Sequence, residues 1–243
     1  MKQRADVILV ERGLFASRAK AREAIEAGLV EANHQIIRKP SDMISPEAEI
    51  KASAPYPWVS RGGIKLEAAL KAFSISAAGR SCLDIGSSTG GFTDVLLADG
   101  AEHVVSVDVG HGQMHERLRH DARVRLLEGQ DARQLSPDQI GVAPSLIVMD
   151  VSFISLRLIL PHVLKLAAPY SLCIALIKPQ FEAGRDAVRK GIVRDEAEHE
   201  RVCEEISACF VGLGWYKLGL IASPIAGGDG NREFLIAASS KVK

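Results

Sequence analysis

The residues in this chain that could do chemistry recur at a few related places. Residues 81–94, SCLDIGSSTGGFTD, read as a short buried strand closing near Asp84, a loop of small residues (Gly86, Ser87, Ser88, Thr89, Gly90, Gly91), and an amphipathic run through Phe92, Val95, Leu96 and Leu97. Strand, glycine loop and helix make the nucleotide-cradling unit of open α/β sheets. The glycines let backbone approach a ligand where a Cβ would intrude. A dinucleotide fingerprint needs glycines at 86, 88 and 91, and position 88 is serine. An acid just before such a loop suits an adenosyl methyl donor, whose amino group is cationic and which carries no pyrophosphate. Asp108, Asp131 and Asp150 follow the next three apolar runs. In an open sheet the ligand sits at the carboxyl ends of strands. There, Asp108 can accept both ribose hydroxyls and Asp131 can reach the adenine amine. A single acid at a strand end could merely cap the next helix. Successive acids together with the loop predict an S-adenosyl-L-methionine site formed by Asp84, residues 86–91 with Phe92 after them, Asp108, Asp131 and Asp150, with a nicotinamide cofactor as the alternative.

Asp150 and Lys178 both end apolar runs, so their Cα atoms are expected to be neighbours in the sheet. Alone they would be an ordinary structural ion pair, which perturbs titration without catalysis. Two more charges belong to the same argument: Lys65, in SRGGIKL ahead of the first strand, and Glu233, in GNREFL on the last. His111 and His115 have helical metal-ligand spacing, but no third ligand suggests itself, and a polar helix face without metal is the expectation. Phe153 and Phe181 follow the strand ends of Asp150 and Lys178. They could wall a splayed nucleotide, but core packing is the expected role. Arg61, Lys190 and Arg194 are candidate phosphate contacts.

The elements that must position these groups divide the 243 residues into three zones. Residues 1–54 read as a small α+β domain, residues 55–60 (PYPWVS) as a linker, and residues 61–243 as alternating strands and helices. Strands are predicted near 81–85, 103–107, 123–127, 144–149, 171–177, 215–221 and 232–238. Helices are predicted over 61–74, 90–99, 111–120, 153–167 and 194–212. This is a mostly parallel, Rossmann-like α/β sheet with right-handed crossovers, and its last two strands are able to pair antiparallel. Lys and Arg balance Asp and Glu at 30 each, which argues against a uniformly basic coat but not against a local basic patch. Cys82, Cys173, Cys203 and Cys209 show no CxxC spacing and read as small buried hydrophobes of a reduced compartment. No apolar run approaches the roughly 18 residues of a membrane span. The opening MKQRAD is polar, so no leader peptide is expected and the cytoplasm is the expected location.

In the first zone, Ser17 precedes a helix whose exposed positions are Arg18, Lys20 and Arg22, with Gly28 as its stop. Short strands flank Asn33-His34, a hairpin signal. The order Arg4, Asp6, Leu9, Gly13, Leu14, Ser17, Arg18, Ala21, Ile25, Gly28, Val30 resembles the ribosomal S4-type RNA-binding domain. It departs at Ala32-Asn33-His34, where that family usually has V-N-G. The cations of this zone read either as a solvated charged face or as a basic recognition helix facing phosphate, with Arg4, Arg18, Lys20 and Arg22 as its RNA contacts and Arg61 beyond it as another.

Lys65, Asp150, Lys178 and Glu233, in that chain order, resemble the catalytic tetrad of FtsJ-like ribose 2′-O-methyltransferases. SRGGIKL, LDIGSSTGGFTD, VDVGHGQ, MDVSFISL, IKPQFEAGR, GIVRD and PIAGGDGNREFL together resemble the TlyA-type family, rRNA 2′-O-methyltransferases often labelled hemolysins. Departures are His111 in place of a more usual tyrosine, Asp131 in place of a common asparagine, and a linker that keeps Trp58-Val59 without the leading arginine. The resemblance implies transfer of methyl from S-adenosyl-L-methionine to a ribose hydroxyl of rRNA, usually cytidine, within ribosomal subunits. Such a tetrad is chemically sensible. A 2′-hydroxyl is a poor nucleophile and needs a base within reach. A lysine serves when a neighbouring cation or burial favours its neutral form, and Lys178 beside Lys65 is expected to feel that repulsion. Asp150 and Glu233 would orient the pair. The competing readings are an RNA-binding protein with a decayed enzyme fold and a pore-forming hemolysin.

Overall fold

The computed structural model describes residues 2–240, with Arg185 and Asp229 described by backbone alone. It divides into two compact units, one ending at Pro57 and the other beginning at Trp58. The small unit runs β1 (Gln3–Arg4), α1 (Ala5–Glu11), α2 (Arg18–Glu26), β2 (Val30–Ala32), β3 (Gln35–Ile36), β4 (Met43–Ile44) and β5 (Ile50–Ala52). Ser17 starts α2 by accepting the Lys20 N–H at 3.3 Å. Ile8 and Leu9 of α1 meet Ala21, Ala24 and Ile25 of α2 and Val30 of β2 in one core. Each large apolar side chain buried there contributes about 1.5–3 kcal/mol. The β2–β3 hairpin turns through Asn33 and His34, both at positive φ (50° and 64°). Two left-handed central residues match the twist of the flanking strands. Asn33 tolerates that conformation, and its Oδ1 accepts the Glu49 N–H at 2.9 Å.

The large unit runs α3 (Gly62–Phe73), β6 (Ser81–Ile85), α4 (Gly91–Ala98), β7 (His103–Asp108), α5 (Glu116–Arg119), β8 (Val124–Glu128), α6 (Pro137–Ile140), β9 (Leu146–Met149), α7 (Leu156–Val163), β10 (Leu172–Ile177), α8 (Pro179–Glu182), α9 (Glu196–Gly212), β11 (Tyr216–Ala222) and β12 (Phe234–Ser239). Its seven strands lie in the order β11-β12-β10-β9-β6-β7-β8. β12 is antiparallel to both neighbours and the other pairs are parallel. The chain winds outward from β6 to β8 and then returns to lay β9 on the other side of β6. That reversal opens a crevice at the carboxyl ends of β6 and β9. Every residue of β9 is buried, as a central strand covered on both faces requires.

Three expectations change. The helix over 111–120 shrinks to α5. Gly112 takes φ +66°, and the Gln113 N–H turns to Glu128 Oε1 at 3.2 Å. His111 therefore lies in a loop against Gly129. His115 is the cap of α5, its Nδ1 accepting the Arg117 N–H at 3.2 Å. The linker is shorter than 55–60: Val59 is buried in the large unit and its N–H donates to Asp94 Oδ2 at 2.9 Å. The short helices α6 and α8 were not anticipated; each opens on a proline at its first position, where the missing N–H costs nothing. Among the described residues no helix is long and apolar enough to cross a membrane.

Asp6, fully buried, ties the small unit together. Arg4 Nε donates to its Oδ1 at 2.9 Å and Arg18 Nη2 to its Oδ2 at 2.8 Å. The two guanidinium groups, Arg4 first, hold its carboxyl down at about 2 against an ordinary 3.8. A depressed carboxyl stabilises the fold above its unfolded value and loses that contribution as pH falls through the folded one. Both arginines are half-exposed, and solvent screening moderates the effect. Asp6→Asn is therefore expected to cost the small unit about 1 kcal/mol near neutral pH. It should also remove the part of the acid destabilisation that falls between 3.8 and about 2. Hydrogen exchange of the α1 and α2 amides in the full chain, measured across that range, checks both effects.

Candidate active site

β6 delivers Asp84 into the interior. Asp84 is fully buried, and its Oδ2 accepts a 2.7 Å hydrogen bond from Thr93 Oγ1, which also lies 2.7 Å from Ser106 Oγ. Its Oδ1 has no partner. Burial, with the carboxylates of Asp150 and then Asp108 adding to it, pushes the Asp84 carboxyl up to about 7. The loop beyond is shaped by close approach. Gly86 takes φ +81°, and a Cβ there would strike the Asp150 carbonyl. Gly90, at φ +94°, would strike Leu118 and Met114. Ser87 Oγ is buried without a partner. Asp108 ends β7 and its carboxylate accepts the N–H of Ser88 and of Gly110, both at 2.7 Å. Ser88 Oγ donates to Gln113 Oε1 at 3.1 Å, and the Thr89 carbonyl accepts the His115 N–H at 3.1 Å. The result is a crevice with unpartnered buried oxygens at its base and glycine backbone for its wall, which fits a donor bearing a cationic amino group.

Two of the predicted cofactor residues behave differently. The Phe92 side chain is buried in the core under α3, because the first turn of α4 directs its apolar face inward. It can serve the loop through its backbone alone. Asp131 stands beyond β8 as expected, but its carboxylate is taken by Arg133 Nη2 at 2.6 Å and caps the turn at Ala132–Gln134.

The four tetrad residues come from α3 and three adjacent strand ends. Ile177 pairs with Phe234 in the β10–β12 register, so Lys178, one residue on, lies beside Glu233, one residue back. Ala175 pairs with Met149, which sets Asp150 on the other side. Lys178 Nζ lies 2.6 Å from Asp150 Oδ1, although that oxygen takes no directed hydrogen bond. The directed donation goes to Ser152 Oγ at 2.7 Å. Lys65 Nζ donates to Glu233 Oε2 at 2.5 Å, and both side chains are buried. Gly227 crosses so near the Glu233 carboxylate that a Cβ would overlap it. The lysines are thus separately paired, and the repulsion anticipated between them is offset in each case by a carboxylate.

Sequence reasoning missed Thr93, Ser152 and Glu182. Glu182, on α8, accepts Ser155 Oγ at 2.5 Å and the Leu156 N–H at 2.7 Å, joining the loop after β9 to the loop after β10. Hydroxyls at short intervals after Asp150 were the available signal. Phe153 overturns its packing expectation: it is 91% exposed at φ +64°, its ring 5.1 Å from that of Phe181. The left-handed residue swings the ring outward. Of the predicted RNA contacts, Arg4 and Arg18 engage Asp6, Lys20 lies 5.8 Å over the Tyr56 ring, Arg22 is exposed, and Arg61 Nη2 donates to the Ala226 carbonyl at 2.8 Å. Lys190 and Arg194 are exposed. No group of three or more metal-ligating side chains forms among the described residues.

The model of the FtsJ-like methyltransferase family matches residues 58–240, and that of the S4 domain matches residues 3–50. The 16S/23S rRNA (cytidine-2′-O)-methyltransferase TlyA of Mycobacterium tuberculosis is 43% identical over 97% of this chain and 89% of its own. Hemolysin A of Brachyspira hyodysenteriae is 39% identical over 96% and 98%. A solved structure of a protein described as a hemolysin from Streptococcus thermophilus is 45% identical, covers 98% of this chain and 88% of its own, and superposes with a TM-score of 0.78. More distant S-adenosylmethionine-dependent methyltransferases share the fold alone. The chain belongs to the FtsJ-like methyltransferase family and carries an S4 domain at its N-terminal end.

Proposed function

We propose that this chain is an S-adenosyl-L-methionine-dependent rRNA (ribose-2′-O)-methyltransferase acting on cytidine. The observation that carries the reading is Lys178, held against Asp150 and Ser152 beside the crevice of Asp84 and Gly86, with the buried Lys65–Glu233 pair on the neighbouring strand. Asp84 and the 86–91 loop would hold the donor, and Asp108 would accept its ribose hydroxyls. When bound, the donor supplies an electrophilic methyl carbon: the O2′–CH3 bond forms as the S–CH3 bond breaks and its electron pair stays on sulfur. As general base, Lys178 takes the 2′-hydroxyl proton on Nζ. Asp150 then stabilises the ammonium. Lys65 and Glu233 hold each other rigid and limit the net charge of the site. Phe153, exposed above this group, offers its face to the target base, since bases drawn from a stack rest on aromatic rings. The S4 domain contributes RNA affinity, with exposed Arg22 among its cations.

Lys178→Ala should lower kcat by at least about 100-fold, the lower end of what a general base supplies. Asp150→Ala should likewise abolish turnover. In both variants donor binding stays measurable by calorimetry, and rRNA methylation at the wild-type rate in either sinks the assignment.

Asp84 generates a pH prediction. Its carboxyl, up at about 7 without ligand, must give up its proton to face a cation. Donor affinity is therefore expected to rise by up to about tenfold per pH unit below that value and to level off above it. Asp84→Asn should weaken binding and flatten the profile. Calorimetry in two buffers of different ionisation heat reads the proton released.

Binding of the full chain to rRNA should weaken steeply with salt, and Arg22→Ala should reduce the log–log slope by about 1. Salt-independent binding would contradict a phosphate-reading S4 domain.

A further inference from the structure

We infer that Ser152 is a positioning residue for the base Lys178: its hydroxyl, rather than the Asp150 carboxylate, aims the amine at the ribose. The inference rests on the reading of Lys178 as general base. Two groups meet the Lys178 nitrogen. Asp150 Oδ1 is 2.6 Å away but out of line for a hydrogen bond, so it contributes charge with little direction. Ser152 Oγ accepts a directed hydrogen bond from Nζ at 2.7 Å. A Coulomb contact is indifferent to rotation about the Cε–Nζ bond, whereas a hydrogen bond weakens steeply as it bends. Ser152 therefore fixes the rotation of the amine, and with it the direction of the lone pair that receives the 2′-hydroxyl proton.

The local chain explains why this position can do so. Asp150 and Ser152 are two residues apart in the segment leaving β9, and both face the same nitrogen. Val151 between them is buried, and Phe153 after them turns left-handed. Ser152 is thus held between a buried anchor and a fixed turn. The hydroxyl is exposed, so its removal creates no cavity and leaves no buried group orphaned. Ser152 lies outside the four charged residues and takes no part in bond making or breaking. What it supplies is orientation, and misaiming a catalytic group by a small angle is costly in rate.

The test is steady-state methylation of rRNA by the full-length protein, with Ser152→Ala, Ser152→Thr and Lys178→Ala measured side by side and donor binding followed by calorimetry. Ser152→Ala is expected to lower kcat about tenfold while KM for RNA and donor affinity stay within about twofold, the split of a group that acts in the transition state alone. Ser152→Thr, which keeps the hydroxyl, should restore most of the rate. An inactive Lys178→Ala together with a fully active Ser152→Ala overturns the role of Ser152 and leaves the base assignment standing. An active Lys178→Ala overturns both. Loss of donor affinity or of RNA KM in Ser152→Ala, in proportion to the loss in kcat, assigns the serine to binding and also overturns the proposal.

Discussion

Asp150 donates its backbone N–H to the carbonyl of Ile85, and the site depends on that 2.9 Å bond. It carries the β6–β9 pairing one residue past the end of β9, from the last residue of β6, and brings two loops from distant parts of the chain into contact. Gly86 lies against the Asp150 carbonyl so closely that only a residue without a Cβ fits. The glycine loop and Asp150 are therefore parts of one rigid corner. The reversal of strand order between β6 and β9 makes the corner possible, because the helices following the two strands leave to opposite sides and the crevice between them stays open.

Charge inside this corner is managed by pairing and by neutralisation. Lys65 and Glu233 are buried together; removing either would leave a buried charge unmatched, which is far worse than losing the pair. Asp84 has a hydroxyl donor on one oxygen and nothing on the other, and burial favours its protonated form. Glu182 is likewise pushed above its ordinary value by burial while it clamps the segment that carries Phe153 to α8, which carries Phe181. Lys178 is held between Asp150 Oδ1 and Ser152 Oγ and is less deeply buried than Lys65.

The small unit applies the same physics to a structural end. Asp6 collects Arg4 and Arg18, two of the cations that the sequence pattern offers to RNA. Their outward faces remain half-exposed, so a phosphate approaching them meets guanidinium groups already oriented by a buried carboxylate. Preorganised arginines lose less side-chain entropy on binding than free ones.

Local pattern determined a great deal. The apolar runs located all seven strands of the large sheet to within about two residues, the uncertainty usual for element boundaries. The glycine loop could be read because backbone approach demands glycine wherever it occurs. The acids at strand ends could be read because strand ends are where such sheets bind. Other features were decided by neighbours distant in sequence. Phe92 and Phe153 are the same residue type following similar signals, yet one is buried beneath α3 and the other stands in solvent on a left-handed residue. The helix predicted over 111–120 yields to a loop because Glu128, on another strand, captures the Gln113 N–H. Which carboxylate meets which lysine, and that Lys178 donates to Ser152 rather than to Asp150, depends on the geometry between segments joined only in the folded sheet. Sequence sets the chemistry available at each strand end; the register between strands sets which of those groups touch, because hydrogen bonds and ion pairs act across space and carry no trace in local periodicity.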